Sequence, residues 1–319
     1  MTENRWKSRK VVITGAGAVG STFAYALAQS GTADEICLVD LNKDFLQGQV
    51  LDLAHGMPYY PPVDIYGGDK EDYKDAHVIV ITAGAKQKQG ETRLDLLKRN
   101  AAIMEHIIDE ILESGSNAVI VVVSNPVDVL TYVAMKRADW PHGRILGSGT
   151  VLDSARFRYL ISEKLSVNVR NVHAYIMGEH GDSEFAAWTM TNIAGVPIND
   201  YCKRNQAIDN WPEVRKEIVA EVRNSAYHII DYKGATNFGV GLALVQIVGS
   251  ILQNQQRILT VSTLLKGEYG LNDVCLSIPC VLSQEGVKSI VLSDLSQEET
   301  DYLNNSANIL KQALDNLKD

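Results

Sequence analysis

Gly178-Glu179-His180-Gly181-Asp182 follows an apolar run that ends at Met177. Glycines close on either side leave the backbone exposed and let the imidazole be aimed. A positioned histidine can give and take a proton near neutral pH. The residue type alone does not single out a site, because six other histidines occur: His55, His77, His106, His142, His173 and His228. A lone histidine is more often structural. A second segment runs from Gly147 to Arg158 and reads GSGTVLDSARFR. On a helix Asp153 and Arg156 are three apart and share a face. Such a carboxylate could orient an imidazolium, and the guanidinium could clamp a substrate carboxylate. An ordinary ion pair within the helix accounts for the same spacing.

Two further segments sit where strands end. Gly84-Ala85-Lys86-Gln87-Lys88-Gln89-Gly90-Glu91-Thr92-Arg93 is polar and bracketed by glycines. It leads from a strand into a long helix, the place where ligands bind in open α/β sheets. Its composition suits a mobile lid and an inert surface loop equally. Ser124-Asn125-Pro126-Val127-Asp128 ends the next strand. Asn125 can donate an amide hydrogen bond there, or serve only as a turn residue before proline.

Gly15-Ala16-Gly17-Ala18-Val19-Gly20 is G-x-G-x-x-G. Alone it is weak, since glycine-rich turns are common. Here it directly follows a strand and opens a helix. Gly15 permits the tight turn, Gly17 lets the backbone approach a pyrophosphate, and Gly20 lets helix and strand pack closely. The helix start offers free N–H groups and a positive dipole end to phosphates. Asp40 follows about 20 residues on, at the end of the second strand. A carboxylate there accepts from ribose hydroxyls and repels a 2'-phosphate, which favours NAD over NADP. The same fingerprint serves FAD, so it does not identify the reaction.

The elements that position these residues are legible from apolar periodicity. Val11–Ile13, Ile36–Val39, Val78–Ile81 and Val119–Val123 read as strands buried on both faces of a parallel sheet. Helical patterns lie between them: Ala18 to Gln29, stopped by Gly31, and a strong one carrying Leu97, Ala101, Met104, Ile108 and Ile111 on one face. Alternating strands and helices imply a doubly wound sheet of the Rossmann kind. After about Gly149 the order changes. A helix from Leu152 to Leu165 is expected, then strand-like pieces at Val172 to Met177 and Phe185 to Met190. Helices follow near Trp211 to Asp231 and Val240 to Leu252, strands at Ile258 to Leu265 and Val274 to Leu282, and a last helix carrying Leu303, Leu310 and Leu314. The chain is therefore expected to be α/β. Residues 1–148 would form an N-terminal dinucleotide-binding domain, and residues 149–319 a C-terminal α+β substrate domain.

Bulk properties agree with an enzyme-sized globular chain. Its 319 residues are 45% hydrophobic and 22% charged, which excludes disordered and collagenous classes. A net charge of -9 argues against general nucleic-acid binding. No apolar stretch is long enough to span a bilayer. Cys37, Cys202, Cys275 and Cys280 lie at no zinc-ligand or C-x-x-C spacing. They read as reduced structural thiols, and no metal is expected. Met1 to Lys7 is polar and lacks an apolar signal core, so a cytoplasmic location is expected.

Taken together, GAGAVG, VDL, ITAGAKQKQGETRLDLL, SNPVD, GSGTVLDSARFR, GEHGD and GATNFG resemble the L-lactate/malate dehydrogenase family, over nearly the whole chain and in order. Within the family the bacterial L-lactate dehydrogenase branch is the most similar. The resemblance implies an NAD-dependent oxidoreductase of glycolysis and pyruvate fermentation, assembled as a homotetramer. It implies that His180 is the general acid/base and that Asp153 holds its imidazole. Arg156 would bind the substrate carboxylate in a two-pronged contact. Arg93 would arrive with the lid and polarise the carbonyl. Asn125 would assist at the substrate oxygen and near the nicotinamide, and Thr236 would line the substrate pocket. Beside Gly15, Gly17, Gly20 and Asp40, the resemblance places Val19, Gly84, Ala85, Val123, Asn125 and Ser148 along the cofactor.

The resemblance also bears on specificity and regulation. The malate branch resembles a pattern with arginine where this chain has Gln87. A dicarboxylate closed under the lid without a counter-charge would suffer a large desolvation penalty. Gln87 therefore favours pyruvate and L-lactate over oxaloacetate and malate, although Lys86 and Lys88 flank it. Arg158 and His173 stand at positions that bind fructose 1,6-bisphosphate across a subunit interface in the bacterial branch. Each alone reads equally as a surface or strand residue. Phe185-Ala186-Ala187-Trp188 departs from the Leu/Phe-Pro-Val-Trp usual in relatives, which would loosen a strand start or an interface.

Overall fold

The computed structural model describes residues 8–86, 90–205 and 208–318. Gln87, on which the substrate expectation rests, lies outside them, as do Lys88, Gln89 and the polar start Met1 to Lys7. The first half runs β1 (Lys10–Thr14), α1 (Ala18–Ser30), β2 (Glu35–Val39), α2 (Lys43–His55), β3 (Asp64–Gly67), β4 (Val78–Ile81), α3 (Arg93–Glu113), β5 (Val119–Val122), α4 (Val127–Ala138) and β6 (Ile145–Gly147). The second half runs α5 (Val151–Leu165), β7 (Val172–His173), β8 (Ile176–Met177), β9 (Phe185–Ala186), β10 (Asn192–Ile193), β11 (Val196–Pro197), α6 (Ile198–Asn205), α7 (Trp211–Lys233), α8 (Phe238–Leu252), β12 (Ile258–Lys266), β13 (Asn272–Ser283), β14 (Gly286–Ile290) and α9 (Gln297–Lys318).

The sheet order is β14-β13-β12-β6-β5-β4-β1-β2-β3. From β3 to β6 every pairing is parallel, and the strand order reverses between β1 and β4. This is the doubly wound Rossmann arrangement. Its loops part at the reversal and leave a crevice at the carboxyl ends of the strands. β1, β4 and β5 are buried throughout, as β-branched runs covered by helices on both faces require. Leu97, Ala101, Met104, Ile108 and Ile111 are all buried on α3. Each of the larger ones stabilises the fold by roughly 1.5–3 kcal/mol relative to exposure. β12, β13 and β14 extend the sheet antiparallel beyond β6, with Ser262 facing Gly147 at the junction.

Some elements differ from expectation. Val172 to Met177 is two short strands in different sheets. Only the first two residues of Phe185 to Met190 are strand, and Trp188–Met190 is a 3-10 turn. The reason is packing: the Trp188 ring sits edge-on to Phe157 and to Trp211, with Arg215 over its face. The alanines that precede it are not loose. Ala187 is fully buried and its N–H donates to the Tyr175 carbonyl at 2.9 Å. All four cysteines are buried and unpaired. Among the described residues, no helix is long and apolar enough to cross a membrane.

Candidate active site

Two clusters of the sequence candidates line the carboxyl ends of the strands. The first surrounds the glycine turn. Gly15 has φ 103°, and its N–H donates to the Val39 carbonyl at 2.7 Å. A Cβ on Gly15 would strike the Ala83 backbone, and one on Gly20 would overlap the Gly15 carbonyl. These two positions therefore weld β1, α1 and the end of β4 together. Gly17 differs: among the described residues nothing lies within 4 Å of where its Cβ would stand. It opens α1 with no side-chain cap and no acidic residue in the first turn. Unsatisfied amides with a positive dipole end face open space there, which fits a pyrophosphate.

Asp40 completes this edge. One carboxylate oxygen accepts the Ala16 N–H and the other the Asn42 N–H, both at 2.9 Å. The carboxylate is thereby held at the end of β2 beside the glycines. A cleft of about 850 Å³ runs along Gly15, Gly17, Asp40, Gly84 and Ala85 to Ile103 and His106 of α3. These residues fit an adenine dinucleotide. Val19, Val123 and Ser148 are half-buried near the same strand ends. The Ser148 N–H donates to the Val122 carbonyl at 2.8 Å.

The second cluster gathers around His180. Its Nδ1 lies 2.6 Å from one Asp153 oxygen, and Arg156 donates to the other at 2.6 Å. The spacing of Asp153 and Arg156 thus forms the ion pair expected of a helix and also reaches the imidazole. Packing makes this possible. The Thr150 hydroxyl donates to the Ile176 carbonyl at 2.6 Å, and Ser154 Oγ accepts the Ile176 N–H at 2.9 Å. These bonds clip the first turn of α5 to β8, so Asp153 faces the loop that follows β8. Gly178, at φ 97°, exchanges backbone hydrogen bonds with Ser277 of β13. The His180 N–H donates to Asp128 at 2.8 Å.

The electrostatics follow from this geometry. Burial disfavours the His180 cation, but the Asp153 carboxylate, with Asp128 and Glu184, overcomes it and raises the imidazole to about 9. Asp153 is buried, which opposes ionisation, yet His180 and Arg156 hold its carboxyl below the usual range. Burial raises Asp128 to about 6. A charged imidazolium beside a guanidinium, with one carboxylate between them, carries net positive charge. Such a site can hold an anionic substrate and deliver a proton to it.

The remaining candidates are placed less closely. Arg93 is the first residue of α3 and exposed. Its charge is felt by Tyr227 of α7, whose hydroxyl donates to Asp182 at 2.7 Å. Among the described residues no hydrogen bond or ion pair joins it to His180. Thr236 is half-buried in the link between α7 and α8 and is likewise not bonded to that group. Asn125 is exposed, and its carbonyl accepts from Asn100 at 3.2 Å. Asn100 also accepts the Ala85 N–H at 2.8 Å, so this buried residue of α3 ties the two strand-end loops together. Sequence reading passed over Asn100 because it sits inside an amphipathic helix. It also passed over Asp128, the last residue of SNPVD, and Glu184, two residues after GEHGD.

Arg158 is half-buried. It donates to the Val172 carbonyl at 2.8 Å and to the Val169 carbonyl at 3.3 Å. His173, next to Val172, is exposed. Asp153, His180 and Glu184 bring donor atoms within 4.8 Å of one another, a spacing compatible with a metal. Both Asp153 oxygens are already engaged by Arg156 and His180.

Family models, curated relatives and solved structures match nearly the whole chain. Residues 9–147 match the NAD-binding domain of lactate/malate dehydrogenases, and residues 150–319 their alpha/beta C-terminal domain. An L-lactate dehydrogenase of Treponema denticola is 57% identical, covering 96% of this chain and 98% of the relative. One of Acetivibrio thermocellus is 49% identical, with 97% of each chain covered. A crystal structure of a lactate dehydrogenase from a Medee basin deep-sea metagenome library superposes with TM-score 0.95 at 46% identity, covering 98% of this chain and all of that one. The minor L-lactate dehydrogenase of Enterococcus mundtii, in its ligand-bound form, gives 0.94 at 42% identity, covering 97% and 98%.

Proposed function

Because this chain belongs to the lactate/malate dehydrogenase family, we propose that it is an NAD-dependent L-lactate dehydrogenase, reducing pyruvate to L-lactate with NADH and running the reverse. The observation that carries the reading is the 2.6 Å contact between His180 Nδ1 and Asp153. It leaves Nε2 as the nitrogen that meets the substrate oxygen. NADH, when bound, supplies the hydride. The chain supplies the rest. Arg156 pairs with the substrate carboxylate while Asp153 fixes the guanidinium. His180 gives its proton to the carbonyl oxygen of pyruvate, and Arg93, Asn125 and Thr236 surround that oxygen and the methyl group. Arg93 starts the helix that follows the lid segment, so lid closure carries it inward and excludes water.

Pyruvate is preferred over oxaloacetate because Gln87 offers no counter-charge to a second carboxylate. The test is loss of NADH absorbance with pyruvate and, separately, with oxaloacetate. Turnover with pyruvate at least tenfold better in kcat/KM is expected, and the opposite order refutes the substrate assignment.

In this reading residues 1–148 bind the cofactor and residues 149–319 shape the substrate site. The protein works as a cytoplasmic homotetramer, and its unpaired buried cysteines suit a reducing compartment. Arg158 and His173 bind fructose 1,6-bisphosphate between subunits and lower the KM for pyruvate. Arg158 donates to the carbonyl of Val172, the residue before exposed His173, and arginine and histidine both suit a sugar phosphate.

A further inference from the structure

Glu184 is a carboxyl group that the hydride-transfer chemistry does not use. It precedes β9 and is 4% exposed, and its carboxyl comes within 4.8 Å of both the Asp153 carboxylate and the His180 ring. Its surroundings differ from those of Asp153. Asp153 has two cationic partners, each at 2.6 Å. Among the described residues no ion pair reaches the Glu184 carboxyl. The nearby cation on α7, Arg223, donates instead to the Glu184 backbone carbonyl at 2.7 Å, and among the described residues its buried Nε has no partner. The charged groups around Glu184 are thus Asp153 and Arg156 on α5, His180 in its own loop, and Arg223 on α7. Asp128 on α4 and Glu179 lie behind His180.

An anion at this place would stand beside a carboxylate that already balances one of the two cations. Beside the substrate position Asp153 and Glu184 would then both oppose the charges of His180 and Arg156, with Arg223 turned to the Glu184 backbone carbonyl. An ionised Glu184 would cancel one positive charge of the site and weaken its hold on an incoming carboxylate. With a neutral Glu184 the same site keeps one more positive charge.

We propose that Glu184 is a positioning residue that must carry its own proton for the site to accept a 2-oxo acid anion, so that substrate binding is linked to two protons, one on His180 and one on Glu184. The proposal rests on the reading of the site as a 2-oxo acid reductase. The energetics agree in direction. Burial first, and then the Asp153 charge, push the Glu184 carboxyl up to about 8, so at neutral pH it is a neutral acid. The Glu184 proton is never transferred. It keeps the local field favourable to Arg156 and its ligand.

The experiment uses the full chain saturated with NADH and the pyruvate analogue oxamate. Proton uptake on oxamate binding is measured calorimetrically in buffers of different ionisation enthalpy between pH 7 and 10. The pH dependence of KM for pyruvate is measured in parallel. The wild type is expected to approach two protons taken up per site at the alkaline end, with log KM rising at a slope near two. Glu184→Gln should take up no more than one proton, with a slope near one, because its amide cannot ionise. Glu184→Asp keeps a carboxyl and should restore the steeper slope.

A second readout is thermal. The folded state holds the Glu184 proton to higher pH than the unfolded chain, so the stability it contributes is lost as pH rises through about 8. The fall in Tm between pH 6 and 9 should be shallower in Glu184→Gln. A wild-type slope of one, or a slope of two retained by Glu184→Gln, overturns the proposal. If Glu184→Gln does not fold, the wild-type proton count and Glu184→Asp decide it. Failure of the wild type to bind oxamate or to reduce pyruvate overturns the proposed function itself, and with it this inference.

Discussion

Replacing Asp153 by asparagine removes one charge, changes almost no volume, and acts on both cations of the site at once. In the wild type His180 is raised to about 9 against an ordinary 6.5, chiefly by the Asp153 carboxylate working against burial. At pH 7.5 such a histidine is roughly 97% protonated, whereas one at 6.5 is only about 9% protonated. Burial without the carboxylate lowers the imidazole further, so the loss of the protonated form is at least about tenfold. Arg156 also loses the charge-assisted bond that fixes it at 2.6 Å. A bond of that kind contributes about 1.5–3 kcal/mol, a further factor of roughly ten to a hundred in substrate capture. The expected loss in kcat/KM for pyruvate at pH 7.5 is therefore about 10²- to 10³-fold.

The pH dependence separates this cause from damage to the fold. Between pH 7.5 and 5.5 the wild-type histidine stays protonated, while that of the variant regains its proton. At least about tenfold of the deficit relative to wild type should be recovered on acidification. The assay is steady-state NADH oxidation at both pH values, with an NADH fluorescence titration to verify that the cofactor cleft is intact. A loss of less than threefold at pH 7.5 would refute the reasoning. So would a deficit equal at pH 7.5 and 5.5 with NADH binding unchanged.

Three other perturbations address the remaining parts of the site. Asp40→Ser removes the carboxylate held by the Ala16 and Asn42 amides, so NADH should bind about ten- to a hundredfold more weakly and the preference over NADPH should shrink, as read by fluorescence titration with each cofactor. Gln87→Arg supplies a counter-charge for a second carboxylate and should shift the ratio of kcat/KM for oxaloacetate over pyruvate upward by at least tenfold; an unchanged ratio would sink the specificity argument. Arg158→Gln keeps a donor for the Val172 carbonyl but removes the charge, so it should abolish the fall in pyruvate KM on adding fructose 1,6-bisphosphate. The same fall in both proteins would show that Arg158 takes no part in binding the sugar bisphosphate.

Much was decided by local sequence. The β-branched runs of β1, β4 and β5 could only be buried strands, because that much apolar surface is stable only when covered on both faces. The glycines at 15, 17 and 20 announced a phosphate turn, because the chain there admits no side chain at Gly15 or Gly20 and needs none at Gly17. The periodicity of α3 marked its buried face residue by residue. β6, with three residues, and α2, with only Leu46, Val50 and Leu53 buried, lacked a signal strong enough to stand out. The strand expected over Phe185 to Met190 gave way to a turn because the Phe157 and Trp211 rings pack edge-on against Trp188, which no local period encodes.

The chemistry of His180 was beyond local reading. Sequence supplied a histidine between glycines and, 27 residues earlier, an Asp–Arg pair that any helix would tolerate. Tertiary structure joined them, by clipping α5 to β8 through Thr150 and Ser154 and by hanging the histidine loop on β13. It also placed Asn100 between two loops and Glu184 beside Asp153. Those roles depend on which charges burial brings together, and electrostatic coupling falls off with distance through space, not with separation along the chain.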